Sequence, residues 1–378
     1  MKNDKKTIAI FTLVEHKEIN GQFYGYAPYI REMNMWISHF DKVIVVGPYK
    51  ASKQIDKIDL NYIHSNINLV KVPAFNIKSV FSIIRLLLHL PLIMYKMASV
   101  MKNSDYLHFR CPSNVAAVAA VVQVFFPSKP KSAKYAGNWD PNSSQPLGYR
   151  FQKWLLSHTF LSKNIKVLVY GEWKNQTKSV FPFMPATYTE SEKIPFKKRN
   201  YSEKLKFVFI GAQVIGKRPL LTVNIIESLL KKGVDAELHM YGDGNLKTEV
   251  EDYIKDNNLS KSIYVHGNQD REVVKQSLQN AHFTILPSKS EGWPKAIAEG
   301  MFFGAIPIST KISCLPWMLD NGNRGILIQP NINAVQVILN EISKGEDYLN
   351  TMSKNAQNWS QYYTVNRLEQ EINKVVVG

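Results

Sequence analysis

The sequence predicts an α/β protein built from two doubly wound domains. Short apolar runs alternate with helical stretches along nearly the whole chain, the pattern of a parallel sheet covered by helices. The alternation breaks once, over 181–201, where Pro182, Pro185 and Pro195 stand beside the basic cluster Lys197–Arg199. It then restarts, and 378 residues are more than a single core usually organises.

Thr7–Phe11 reads as the first buried parallel strand. A polar loop over 15–25 follows, then a helix to about His39. Lys42–Gly47, Tyr106–Phe109, Ser132–Ala136 and Lys166–Tyr170 continue the strand series. After the break come Phe207–Ile210, Glu237–Tyr241, Ile263–His266, Phe283–Leu286 and Ile306–Ser309. Helices fit 219–232, 246–257, 271–280, 294–303 and 333–344, and 351–376 reads as helical. The expected organisation is a first domain over 1–190, a second over 191–355, and a terminal helix over 356–378 that can cross back to the first.

Composition narrows the function classes. Hydrophobic residues make up 45% and charged residues 21%, which excludes large-scale disorder. Two cysteines give no disulfide framework, and the basic N-terminus leads into a strand instead of a signal peptide. A cytoplasmic location is expected. The net charge of +16 is uneven: residues 1–190 hold 24 Lys and Arg against 11 Asp and Glu, whereas 191–378 hold 23 against 20. The first half is expected to meet something anionic. The chain has no zinc-finger spacing or aromatic–basic module, which argues against a nucleic-acid-binding protein.

The most informative segment is Pro287–Gly300, directly after the strand ending at Leu286. Pro294 suits the first turn of a helix, and Gly292 lets backbone approach a ligand closely. The N–H groups and dipole of such a helix start favour a diphosphate. Glu291 precedes the helix and Glu299 lies within it, so two carboxylates are available for the vicinal hydroxyls of a ribose and a sugar.

This Glu-x7-Glu pattern after Leu-Pro-Ser288 resembles the donor motif of the retaining GT-B glycosyltransferases of family 4. The resemblance extends over about 205–330. Phe207–Gly211 with Lys217-Arg218-Pro219 is similar to the family's Gly-ended strand and basic residues. Gly242 within Met240–Gly244, Gly267 after Val265-His266, and Gly304–Pro307 match further steps in order. The resemblance implies a GT-B architecture of two Rossmann-like domains facing a cleft. It implies that Glu299 binds ribose and Glu291 the transferred sugar. The backbone of Gly292, Trp293 and Lys295 would line the diphosphate side, and Lys217 or Arg218 would neutralise the diphosphate. It also implies retention of configuration, a nucleotide-sugar as substrate, and no metal. Ala212 stands where family members carry an Arg. His239 and His266 read as separate structural histidines.

The first domain matches less well. The glycines of its first loop, Gly21 and Gly25, are spread apart, and no His stands in Tyr135–Asp140. Asn138 and Asp140 are expected either to act at the sugar or to shape a turn. Arg110, at a strand end, is expected to meet an acceptor phosphate. Over 78–102, Lys78, Arg85, His89 and Lys96 form one basic stripe on an apolar helix that Pro91 would kink, suited either to anionic lipid or to a solvated face. A glycan or polyprenyl-linked acceptor, a peripheral position on the inner membrane face, and a role in bacterial surface-polysaccharide synthesis follow as expectations. The alternatives are a sugar-nucleotide epimerase on the same scaffold and, from charge alone, a basic nucleic-acid-binding protein.

Overall fold

The computed structural model describes residues 6–377 except 53, 57, 74–79 and 332, and only the backbone over 80–87. Two compact units emerge. One comprises residues up to Phe183 together with Glu369 onward, and the other is Met184–Leu368.

In the first unit the apolar runs become strands because both sheet faces are covered. Its elements are β1 (Thr7–Phe11), β2 (Lys17–Ile19), β3 (Gln22–Tyr26), α1 (Ala27–Ile37), β4 (Lys42–Gly47), β5 (Asp59–Asn61), β6 (Ile67–Lys71), α2 (Val80–Lys102), β7 (Tyr106–Cys111), α3 (Asn114–Val122), β8 (Lys131–Tyr135), α4 (Leu147–Ser157), β9 (Ile165–Val169) and β10 (Val180–Pro182). Seven parallel strands run in the order β10-β9-β8-β7-β1-β4-β6. The reversal point of this Rossmann-type order lies between β1 and β7, where Phe11 and Phe109 stack with ring centroids 5.2 Å apart. The stretch read as a polar loop over 15–25 is instead a hairpin, β2 against β3, extended by β5. Asn20 and Gly21 both take positive φ, 52° and 75°, as a two-residue hairpin turn requires.

The second unit repeats the plan. It holds β11 (Leu205–Ile210), α5 (Pro219–Lys231), β12 (Ala236–Tyr241), α6 (Lys247–Asp256), β13 (Ile263–Gly267), α7 (Arg271–Asn280), β14 (Phe283–Leu286), α8 (Lys295–Phe302), β15 (Ile306–Thr310), α9 (Leu315–Met318), β16 (Ile326–Ile328), α10 (Asn333–Ile342) and α11 (Glu346–Gln361). A last helix, α12 (Val365–Val377), carries the chain to its end. The six parallel strands run β13-β12-β11-β14-β15-β16, so the reversal falls between β11 and β14. Phe207 and Phe283 stack across it at 4.9 Å. The helical stretch read over 351–376 is two helices, parted at 362–364.

Candidate functional site

In an open parallel sheet, ligands bind beyond the carboxyl ends of the strands where the strand order reverses. In the second unit that point lies beyond β11 and β14. The loop after β11 carries Lys217 and Arg218, and the loop after β14 carries Glu291. Lys217 Nζ donates to Glu291 Oε1 at 2.6 Å, so residues 74 positions apart form one ion pair. Glu291 is buried and Lys217 is partly exposed.

Arg218 does a different job. Its backbone is left-handed, with φ 53°, at the residue before α5. Its guanidinium donates to the carbonyls of Pro287 and Ser288 at 3.1 and 3.2 Å. It therefore anchors the loop that presents Glu291. Four side chains at the end of β14's other neighbour, β15, and just after it complete the anchoring. Ser309 donates to Leu286 O, Thr310 to Ser288 O and Ser313 to Glu291 O, each at 2.6 Å, and Cys314 Sγ to Gly292 O at 3.4 Å. The Ser288 hydroxyl is fully buried and has no partner among the described residues. Pro294 is the cap residue before α8 and not, as the sequence suggested, within its first turn.

Glu299 sits in α8 and accepts a hydrogen bond from Thr187 Oγ1 at 2.9 Å. Burial pushes its carboxyl above the usual range, with Thr187, Lys295 and Arg271 acting against that push. Trp293 is buried beside Trp359, with ring centroids 6.2 Å apart, and both line a narrow pocket with Thr187 and Glu299. Lys295 is exposed.

The glycines explain how the loops come together. Gly242 has φ 119°, and a Cβ there would lie 2.2 Å from the carbonyl oxygen of Gly211. The loops after β11 and β12 thus touch backbone to backbone. Gly267, with φ 66°, accepts from Gly242 N at 2.8 Å. The two histidines read as separate are in fact partners: His239 Nδ1 and His266 Nε2 lie 3.0 Å apart with parallel rings. A register shift between β12 and β13 at Met240/Tyr241 makes His266 the extra residue and brings it beside His239. Among the described residues no group of three His, Cys, Asp or Glu is placed to hold a metal ion.

In the first unit, Arg110 is engaged internally. Its guanidinium donates to both carboxylate oxygens of Glu32 at 2.6 and 3.3 Å, and Lys134 approaches the same carboxylate at 2.7 Å. Burial alone would raise the Glu32 carboxyl, but the two cations hold it well below the usual range. Asn138 and Asp140 shape a turn, their side-chain oxygens accepting from the N–H of Asp140 and Asn142 at 2.9 Å each. On α2, Leu88, Leu92 and Tyr95 are exposed alongside His89 and Lys96. The Lys78 position and the Arg85 side chain lie outside the described residues. No helix among the described residues is long and apolar enough to cross a membrane.

Sequence reasoning missed Thr187, Ser313 and Trp359, which surround the two glutamates. Only the seating of 287–299 between two other segments reveals them.

Two Rossmann-like domains in tandem, the second with a cation and two carboxylates near its reversal point, define a protein of the GT-B fold class. Residues 190–359 match the family model described as glycosyl transferases group 1. An uncharacterized glycosyltransferase of Methanocaldococcus jannaschii is 27% identical over 169 residues, 44% of this chain and 46% of that protein. The UDP-Gal:alpha-D-GlcNAc-diphosphoundecaprenol alpha-1,3-galactosyltransferase of Escherichia coli is 29% identical over 172 residues, 44% of this chain and 43% of that protein. The chain thus matches less than half the length of these curated relatives. Among solved structures, Anabaena HepE in complex with UDP superposes with a TM-score of 0.67 over 98% of this chain and 99% of that one. At 12% identity that likeness carries the fold alone.

Proposed function

We propose that the chain is a retaining glycosyltransferase of the family 4 type that moves a hexosyl group from a UDP-sugar to a glycan or polyprenyl-linked acceptor. The observation that carries this reading is the Lys217–Glu291 pair at the reversal point of the second domain. In the donor complex Lys217 leaves Glu291 for the diphosphate, and Glu291 turns to hydroxyls of the sugar. Glu299 takes the ribose hydroxyls. Burial raises the Glu299 carboxyl, and a perturbed carboxylate lining a pocket is a candidate for ligand binding. The bond from the anomeric carbon to the diphosphate breaks as the bond to the acceptor oxygen forms, and the acceptor proton leaves to the departing phosphate or to solvent. Lys217 and the start of α8 stabilise the negative charge that develops on the diphosphate. No metal enters this scheme.

The nucleotide and the lipid-linked acceptor are suggested by the name of the Escherichia coli relative. A cytoplasmic protein resting on the inner membrane face fits the basic first half and the exposed Leu88, Leu92, Tyr95 and Lys96 face of α2. Surface-polysaccharide synthesis is the role that combines these features. The test is chromatographic detection of UDP released from a panel of UDP-sugars, with and without a polyprenyl-diphosphate-linked acceptor. Acceptor-dependent release that Glu299→Ala abolishes supports the proposal. Release unaffected by Glu299→Ala overturns the site assignment, and conversion of the sugar without acceptor points to an epimerase.

A further inference from the structure

The amino-terminal ends of the first unit's strands carry a second feature, remote along each strand from the reversal-point ends. A cavity of about 590 Å³ opens there, at the starts of β7, β8 and β9. That volume lies within the range of small-molecule sites. Its wall includes Lys131, Lys163, Lys166 and Lys178 and, among the described residues, no Asp or Glu. Val375 and Phe181 supply apolar wall on the same cavity.

Lys131 is the unusual member. It is the first residue of β8 and only 1% exposed. A lysine is almost never buried without a carboxylate partner. Its ammonium donates to the carbonyl of Lys163 at 2.6 Å and has no other hydrogen-bond partner among the described residues. Burial lowers the group to about 8, with no acid opposing the shift. Lys178 is exposed, and the Lys163 ammonium lies 5.1 Å from the centre of the Phe160 ring. Lys166 donates to the carbonyls of Lys374 and Val375 at 3.3 and 3.0 Å, which ties the end of α12 to the cavity wall.

Among the described lining residues no carboxylate offsets the four lysines, which repel one another and retain unused donors. An anionic phosphate group, whether a monoester, a diester or a diphosphate, satisfies both at once through charge-assisted hydrogen bonds. We infer that this cavity is a binding site for a phosphate-bearing ligand, with Lys131 at its floor and Lys163 and Lys178 at its mouth. The phosphate belongs either to a soluble phosphorylated compound or to the headgroup of an anionic lipid. Exposed Phe181 and Val377 on the cavity lining are compatible with either body behind the phosphate. The site is independent of the proposed donor site, which lies in the other unit.

Lysine acetylation followed residue by residue by mass spectrometry tests it on the full chain. The probes are inorganic pyrophosphate, vesicles of phosphatidylglycerol, and, as controls, phosphatidylcholine vesicles and sodium chloride at matched ionic strength. Labelling of Lys163 and Lys178 should slow in pyrophosphate or on phosphatidylglycerol, and not in either control. Protection by pyrophosphate identifies a soluble ligand, and protection by phosphatidylglycerol vesicles alone identifies a headgroup. Lys131→Met should weaken the protecting ligand by about tenfold or more. Should that variant not fold, Lys178→Glu, an exposed change, should do the same through reversal of one charge at the mouth. No protection by either phosphate source, or protection that survives Lys178→Glu, overturns the inference. Any protection of Lys217 is read separately and bears only on the donor site.

Discussion

Lys217→Met is the most informative single perturbation. It removes the cation 2.6 Å from a carboxylate that is 7% exposed. Removing one partner of a buried ion pair typically destabilises by about 3–5 kcal/mol, because the other charge stays buried and uncompensated. Lys217 is itself 29% exposed in its side chain, so water reaches the vacated space and the loss should fall to about 2 kcal/mol. Glu291→Gln in addition removes the stranded charge, and the double variant should recover about 1 kcal/mol. Urea unfolding of the four proteins, with equal m-values, measures the coupling between the two sites. A coupling of about 1–2 kcal/mol is expected. A coupling below about 0.3 kcal/mol, the usual error of additivity, would show that the two side chains do not meet in the ligand-free protein. The same Lys217→Met variant should lose about 10²–10³ in turnover if the lysine stabilises a departing diphosphate.

Other predictions follow from single contacts. The Glu299 carboxyl is raised by burial, so the folded state binds its proton more tightly than the unfolded chain and this group's contribution falls as pH rises. Glu299→Gln should therefore leave stability at neutral pH unchanged or higher while abolishing turnover; marked unfolding of the variant would contradict this. Burial lowers His16 from 6.5 to about 4, so the unfolded chain binds more protons between those values and stability is lost as pH falls through that window. At about 1.4 kcal/mol per pH unit the loss is at most about 3 kcal/mol, and His16→Gln should flatten the profile in thermal melts from pH 4 to 7. Gly242→Ala should destabilise by several times the effect of Gly216→Ala in denaturant titrations. A Cβ at 242 meets a carbonyl oxygen at 2.2 Å and φ is positive, whereas a Cβ at 216 meets nothing within 4 Å.

Ten of the parallel strands were legible because full burial writes itself as uninterrupted apolar runs, whereas the edge strands β6, β10 and β16, shorter or only partly buried, were not read. Phe283–Leu286 coincides with its expected span, and Phe207–Ile210 gains only two residues. The small antiparallel sheet was not seen, although Asn20-Gly21 is a strong hairpin signal, because the flanking strands are only three and five residues long and show no clean apolar–polar alternation. The loops carrying Lys217 and Glu291 were legible as motifs. Their pairing was not, since no local pattern links positions 74 apart. Arg110 was rightly located at a strand end, but its partner Glu32 comes from a helix 78 residues earlier. The same limit hid Thr187, which reaches Glu299 across 112 residues. Sequence patterns report periodicity and local turns. Which side chains then neutralise one another is decided by packing.

The central claim is that the second domain holds a nucleotide-sugar on Lys217, Glu291 and Glu299. Isothermal titration of UDP and of a UDP-sugar panel into the wild-type chain and into Glu299→Gln tests it most directly. The account predicts saturable one-site binding to the wild type and a loss of about 2 kcal/mol or more in the variant, the scale of a charged hydrogen bond to the ribose. Equal affinity of the two proteins for every nucleotide tested, or no binding to either, would contradict it.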